Sequence, residues 1–273
     1  MRTNRRMATL FLLISACIIL FVIIFTGELL VDPAGFTDFT RKNLPPCPAH
    51  LFGTDWMGRD MLARTLAGLS LSIRIGALTA AFSGVIALAL GTASAVFGGR
   101  VDGAVSWLID LTMGIPHILL MILISLSCGR GFSGVVAGVA LTHWPSLARL
   151  VREEVLQLRQ APYLQMARRL GVPGRDVFVR HLLPHLLPQF LTGLILQFPH
   201  AILHEASVTF LGFGLPPERP AIGVILQESM GYLAAGRWWL ALFPGLSLVL
   251  VVMLFALAGE RLRLLLSPAT AQD

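Results

Sequence analysis

Apolar runs long enough to cross a bilayer alternate with polar breaks along most of this chain. The first is uncharged from Ala8 to Thr26 and follows Arg2, Arg5 and Arg6. About 18 continuous apolar residues suit a membrane span, and Gly27-Glu28 makes a poor small-residue cleavage site, so a helix is expected rather than a signal peptide. A polar region of mixed charge follows over 27–73, with Pro33, Pro45, Pro46 and Pro48. Further spans are expected over 75–97, 107–127, 132–147, 189–211 and 240–258. Within the third, Pro116 predicts a kink, and Asp110 needs either a protein partner or the interface, because a carboxylate in hydrocarbon is costly. Gly134 and Gly138 form a GxxxG pair that lets a neighbouring helix approach closely.

The longest polar interruption of the second half is 149–188. It carries seven arginines (149, 152, 159, 168, 169, 175 and 180) and no lysine. Short loops rich in basic residues stay cytoplasmic, so this stretch is expected as a loop at the inner membrane surface. Within it Pro162 suits a helical first turn, and 163–170 holds good helix formers with Leu164, Ala167 and Leu170 spaced for one face. Gly171 then supplies a stop and Pro173 prevents continuation. A second helical run begins near Asp176. Six spans with both termini inside place 13 of the 21 basic residues in the cytoplasm.

Composition supports a polytopic all-α membrane protein. The chain is 55% hydrophobic and 13% charged, with a mean hydropathy of +0.76. Its net charge of +6 records topology and anionic lipid contact, so nucleic acid is not expected as a partner. Cys17, Cys47 and Cys128 lie far apart and suggest neither a disulfide nor a metal framework. No GxxxxGK[ST] cradle or GxSxG elbow occurs, and His204-Glu205 begins an HExxH pattern that fails at Val208. The chain is therefore not expected to hydrolyse ATP or to bind a cofactor.

Gln165-Met166-Ala167, Gly171 and His181-Leu182-Leu183-Pro184 together resemble the EAA loop of ABC importer permeases. Gln165 stands where the family has Glu, Met166 replaces its first Ala, and His181 replaces an aliphatic residue. A second likeness is more specific. Gly53-Thr54-Asp55, Gly58-Arg59-Asp60 and the run from Ser70 to Gly76 resemble the second permease of peptide, nickel and opine importers.

This resemblance implies a type I importer permease fold of six transmembrane helices, in which Tyr163, Gln165, Met166, Ala167, Arg168, Arg169, Leu170, Gly171, Leu183 and Pro184 form the ATPase-coupling element. It implies an N-terminal helix and periplasmic loop over 1–74, a permease domain over 75–265 and a tail over 266–273. The implied partners are a second homologous permease, two ABC ATPase subunits holding ATP and Mg, an extracytoplasmic solute-binding protein and the lipid of a bacterial inner membrane. Arg59 is expected to pair with Asp55 or Asp60 in the outer turn.

Gln197, His200 and His204 fall at i, i+3 and i+7 on one helical face, with Glu205 beside them. In the resembled family this helix lines the translocation path. Interhelical hydrogen bonding and weak contact with a metal-containing cargo are both open readings of that stripe. Thr142-His143-Trp144, Leu158-Arg159-Gln160 and Leu203-His204 look more like the nickel-type permeases, so nickel or a metal–chelator complex is the expected cargo, with di- or oligopeptides the alternative. A non-ATP-driven carrier or a membrane enzyme is a more distant alternative. The long loop has no counterpart in the first half, as an inverted repeat would require.

Overall fold

A stripe of glycines at 68, 76, 84 and 91 runs down one long helix and sets how closely its neighbours approach. A Cβ at these positions would lie 3.0 Å from the Pro220 carbonyl oxygen, 2.9 Å from Ile202, 2.8 Å from Leu194 and 2.5 Å from the Ala148 carbonyl oxygen respectively. Within a membrane such close packing, rather than the hydrophobic effect, drives helix association. The computed structural model describes residues 5–266, apart from the side chains of Arg5, Arg168 and Arg175. Arg2 and the segment 267–273 of the expected tail lie outside the described residues.

In chain order the helices are α1 (Arg5–Leu29), α2 (Val31–Gly35), α3 (Met61–Phe97), α4 (Gly99–Gly114), α5 (His117–Ser127) and α6 (Phe132–Arg159). There follow α7 (Pro162–Arg169), α8 (Gly174–Val177), α9 (Leu183–Phe210), α10 (Ile222–Leu233) and α11 (Trp239–Leu266). A π-helical turn, Phe178–Leu182, leads from α8 into α9. The expected all-helical fold is thus present. α3 lies at the centre, touching α1, α4, α6, α9, α10 and α11. By length and composition α1, α3, the run Phe178–Phe210 and α11 can each cross a membrane, and α4 with α5 can form one bent span.

Four expectations need correction. The second span was placed at 75–97, but α3 begins at Met61. Its first three turns look polar in sequence because they carry Arg64, Ser70 and Ser72, yet all three are buried and paired. Asp60 caps the helix, its side chain accepting from the Ala63 N–H at 2.9 Å.

Pro116 does more than kink its helix. α4 and α5 meet at 99°. Ile115, the residue before proline, is extended (φ −87, ψ 137), as clash with the ring demands.

The stretch 149–188 is largely helical. α6 continues from the expected fourth span to Arg159, and α9 starts at Leu183 rather than near 189. Val151 and Val155 are fully buried, so the apolar face of α6 continues beneath the arginines. The segment between α9 and α11 contains α10, whose Ile222, Val224 and Ile225 are buried.

Leu170, finally, does not share a face with Leu164. α7 ends at Arg169, and Leu170 is 76% exposed while Leu164 is fully buried.

Candidate functional site

The element over 162–171 is built around Leu164. It packs with Val155, Val177, Leu182 and Leu186, so one apolar anchor seats α7 between the end of α6 and the start of α9. Tyr163 lies over this seat with its ring 6.3 Å from that of His181 and 6.0 Å from that of His185. The Gln165 side chain donates to the Gln160 carbonyl at 3.1 Å. At the far end Gly171 has φ +80, and the Val172 N–H reaches back to the Ala167 carbonyl at 3.1 Å, the long bond of a Schellman stop. Arg159 donates to the carbonyls of Ala95 and Val96, tying the base of α6 to the end of α3.

The outward face of α7 is unlike its seat. Tyr163 and Met166 are 43% and 59% exposed, beside exposed Gln165, Arg169 and Leu170. Ala167 is half-buried. The side chain of Arg168 lies outside the described residues. Leu183 is half-buried and Pro184 exposed in the first turn of α9, where a missing N–H costs little. Residues 163–171 of the expected set therefore form this one element and its stop, seated by the buried Leu164, while Leu183 and Pro184 open α9.

The turn over 53–60 is a largely buried electrostatic knot. Asp55 accepts from the Met57 and Arg59 N–H groups at 2.8 and 3.0 Å, and its other oxygen accepts from Arg59 Nε and Arg64 Nη1, both at 2.6 Å. Arg59 thus pairs with Asp55 and not with Asp60, which instead caps α3 and meets His50 Nδ1 at 2.7 Å. Thr54 donates to the Arg41 carbonyl and accepts from the Leu44 N–H. Gly53 and Gly58 have φ +73 and +78, and a Cβ on Gly58 would collide with the Asp38 carbonyl oxygen. Glu228 of α10 completes the knot by accepting from Arg59 and Arg64 at 3.1 and 2.9 Å. The sequence gives no spacing signal for Arg64 or Glu228, because they are 164 residues apart.

The expected stripe on α9 divides. Gln197 donates to the His143 carbonyl of α6, with its other amide atom, Oε1, buried and unpartnered. His200 is exposed. Glu205 is fully buried and turned towards α3, accepting from Ser72 at 2.6 Å and from Thr209 at 3.0 Å. His204 turns instead towards His117 and His143, with ring centroids 4.5 and 5.1 Å away. In the sequence His143 stands out only in the Thr142-His143-Trp144 likeness and His117 only as the residue after Pro116, and their meeting with His204 depends on the α4–α5 bend.

Residues 85–272 match the family described as the binding-protein-dependent transport system inner membrane component. The dipeptide transport system permease protein DppC of Bacillus subtilis is 30% identical over 229 residues, covering 84% of this chain and 72% of the relative. The glutathione transport system permease protein GsiD of Pectobacterium atrosepticum is 32% identical over 253 residues, covering 92% and 84%. Among solved structures, the inward-facing MetNI methionine ABC transporter matches with a TM-score of 0.60 at 19% identity, covering 76% of this chain and 98% of the matched chain. That likeness concerns the fold, which is the type I importer permease fold. With long apolar helices around a central α3 and a family match over most of its length, this chain belongs to the binding-protein-dependent transport system inner membrane components, the membrane-spanning permease subunits of ABC importers.

Proposed function

We propose that this chain is one permease of an importer for small peptides. It pairs with a second homologous permease, receives cargo from an extracytoplasmic binding protein, and rests on two ATPase subunits that hold ATP and Mg. The observation supporting this cargo is that relatives covered over most of their length carry dipeptide and glutathione transport names. The sequence alone pointed first to nickel or a metal chelate, and neither of these relatives is named for nickel. Histidines 117, 143 and 204 keep a metal-chelate cargo as the second reading.

In this reading α7 is the coupling helix and both termini are cytoplasmic. A helix anchored by Leu164 and stopped firmly at Gly171 moves as a unit, so force applied to its exposed face passes into α6 and α9. Those helices can rock as rigid bodies because their backbone hydrogen bonds stay internal.

The cargo test reconstitutes the complex with its ATPases and binding protein. Peptide-loaded binding protein should stimulate ATP hydrolysis and peptide uptake; stimulation by a nickel chelate and not by peptides would overturn the cargo. Deleting 163–171 should leave insertion intact and abolish both transport and capture of the ATPase. Undiminished capture would overturn the coupling assignment.

A further inference from the structure

Three of the seven histidines in the chain converge from three different helices, away from the coupling element. His117 opens α5 immediately past the bend, His143 lies within α6, and His204 lies within α9. One ligand nitrogen from each comes within 4.8 Å of the others. The rings are tilted or edge-on to one another, with centroids 4.5 to 5.1 Å apart. Among the described residues, no hydrogen bond joins any two of these rings.

The packing that brings them together is specific. A Cβ on Gly134 would lie 2.5 Å from the Ser125 carbonyl oxygen, and one on Gly138 would lie 2.8 Å from that of Met121. The two glycines thus let α5 lie against α6, and His117 and Thr142 sit one turn further along the same contact. α9 is brought in by the Gln197 hydrogen bond to the His143 carbonyl and by Gly193, where a Cβ would lie 2.8 Å from Leu147.

The chemistry of the cluster is that of a metal site with a supporting shell. His143 Nδ1 lies 2.9 Å from the Val139 carbonyl oxygen, which can only accept, so this nitrogen carries the proton and Nε2 is left with its lone pair. A metal-bound histidine is commonly held in this way, its second nitrogen donating to a backbone carbonyl. His143 is 8% exposed, whereas His117 and His204 are half-buried, so the group is open on one side. Glu205, the nearest carboxylate in sequence, is committed to Ser72 and Thr209.

We propose that His117, His143 and His204 bind one divalent transition-metal ion of the zinc, nickel or cobalt class. Imidazole ligands without carboxylates suit these ions and exclude calcium and magnesium, which take oxygen. Three histidines leave a fourth position for water or an exogenous ligand. A tetrahedral ion about 2.1 Å from each nitrogen needs the nitrogens roughly 3.4 Å apart, so from separations of up to 4.8 Å the ligand atoms close by at most about 1.4 Å on binding. The ion then clips α5, α6 and α9 together. The site stands independently of the cargo, since a resident ion and a passing peptide are compatible.

The test uses the full complex with its ATPases, stripped with chelator, desalted and exposed to Co2+. About one cobalt should be retained per copy of this chain, with the intense visible absorption of a tetrahedral imidazole-ligated ion, and Zn2+ should displace it. His143→Gln and His204→Gln should each weaken retention at least about tenfold, while His185→Gln leaves it unchanged. Retention by the wild type no greater than by the variant with all three residues changed to Gln would overturn the site. A weak octahedral spectrum unaffected by the substitutions would do the same. If His143→Gln prevents assembly, His117→Gln and His204→Gln carry the test, because those side chains are half-exposed. Peptide-stimulated ATP hydrolysis, measured separately, reports on the cargo alone.

Discussion

Arg152 grips Asp102 with both arms of its guanidinium, Nε 2.6 Å from one carboxylate oxygen and Nη2 2.7 Å from the other. Ser94, in the last turn of α3, donates to the same carboxylate. The pair therefore binds three helices, α3, α4 and α6, close to where α6 leads into α7. Bidentate arginine–carboxylate pairs are geometrically selective as well as strong. Arg152→Ala should lower stability by about 1.5–3 kcal/mol, since a charged hydrogen-bonded partner is lost. Thermal unfolding of the purified complex reads the loss. The Asp102→Arg/Arg152→Asp exchange should recover part of it, whereas a purely steric role for Arg152 predicts no recovery.

Among the described residues Arg64 is the largest fully buried side chain, at 2% exposure, and it faces Asp55 and Glu228. Removing one partner from a buried ionic group costs about 3–5 kcal/mol because the remaining charges are stranded. Arg64→Met should accordingly reduce the yield of folded permease far more than Arg74→Met. Arg74 forms an exposed pair with Glu28, and such pairs contribute little. Equal yields for the two variants would show that the knot is not what fixes the N-terminal end of α3 against α10.

These two arginines also show where the sequence could be read and where it could not. The apolar runs located α1, α3, α9 and α11, because periodicity and length are local properties. Pro162 and Gly171 likewise bounded α7, since each constrains its own backbone. Polar residues satisfied over long distances were misread. Arg64 looked like part of an outer loop because its partner Glu228 lies on α10, and Arg152 looked like a loop charge because Asp102 lies 50 positions earlier. The histidine cluster stayed hidden for the same reason. Only the 99° bend after α4, together with the glycines of α6, puts His117 near His143.

Gly171 separates helix stiffness from helix seating. Its φ of +80 is strained for any other residue, yet a Cβ there would meet nothing within 4 Å. Gly171→Val should therefore cost about 1–3 kcal/mol locally by backbone strain alone. ATP hydrolysis should become less dependent on cargo while the unfolding temperature of the bundle changes little. Leu164→Ala empties the buried seat and should weaken capture of the ATPase as well. If both variants hydrolyse ATP with wild-type coupling, force does not pass through α7.

Gly138 tests whether close helix approach builds the histidine cluster. A Cβ placed there lies 2.8 Å from the Met121 carbonyl oxygen. This is a backbone atom held by α5 itself, so the helices must part. Forcing extra atoms into such a contact costs about 1–3 kcal/mol, and parting α5 from α6 carries His117 away from His143. Gly138→Ala should lower the unfolding midpoint and weaken cobalt retention together. Gly103→Ala, on an open face of α4 with nothing within 4 Å of the added carbon, should leave both unchanged or slightly raise stability through helix propensity. A Gly138→Ala complex that loses stability but holds cobalt as tightly as the wild type would mean that His117 follows α6 through some other contact, and that the glycine pair serves packing alone.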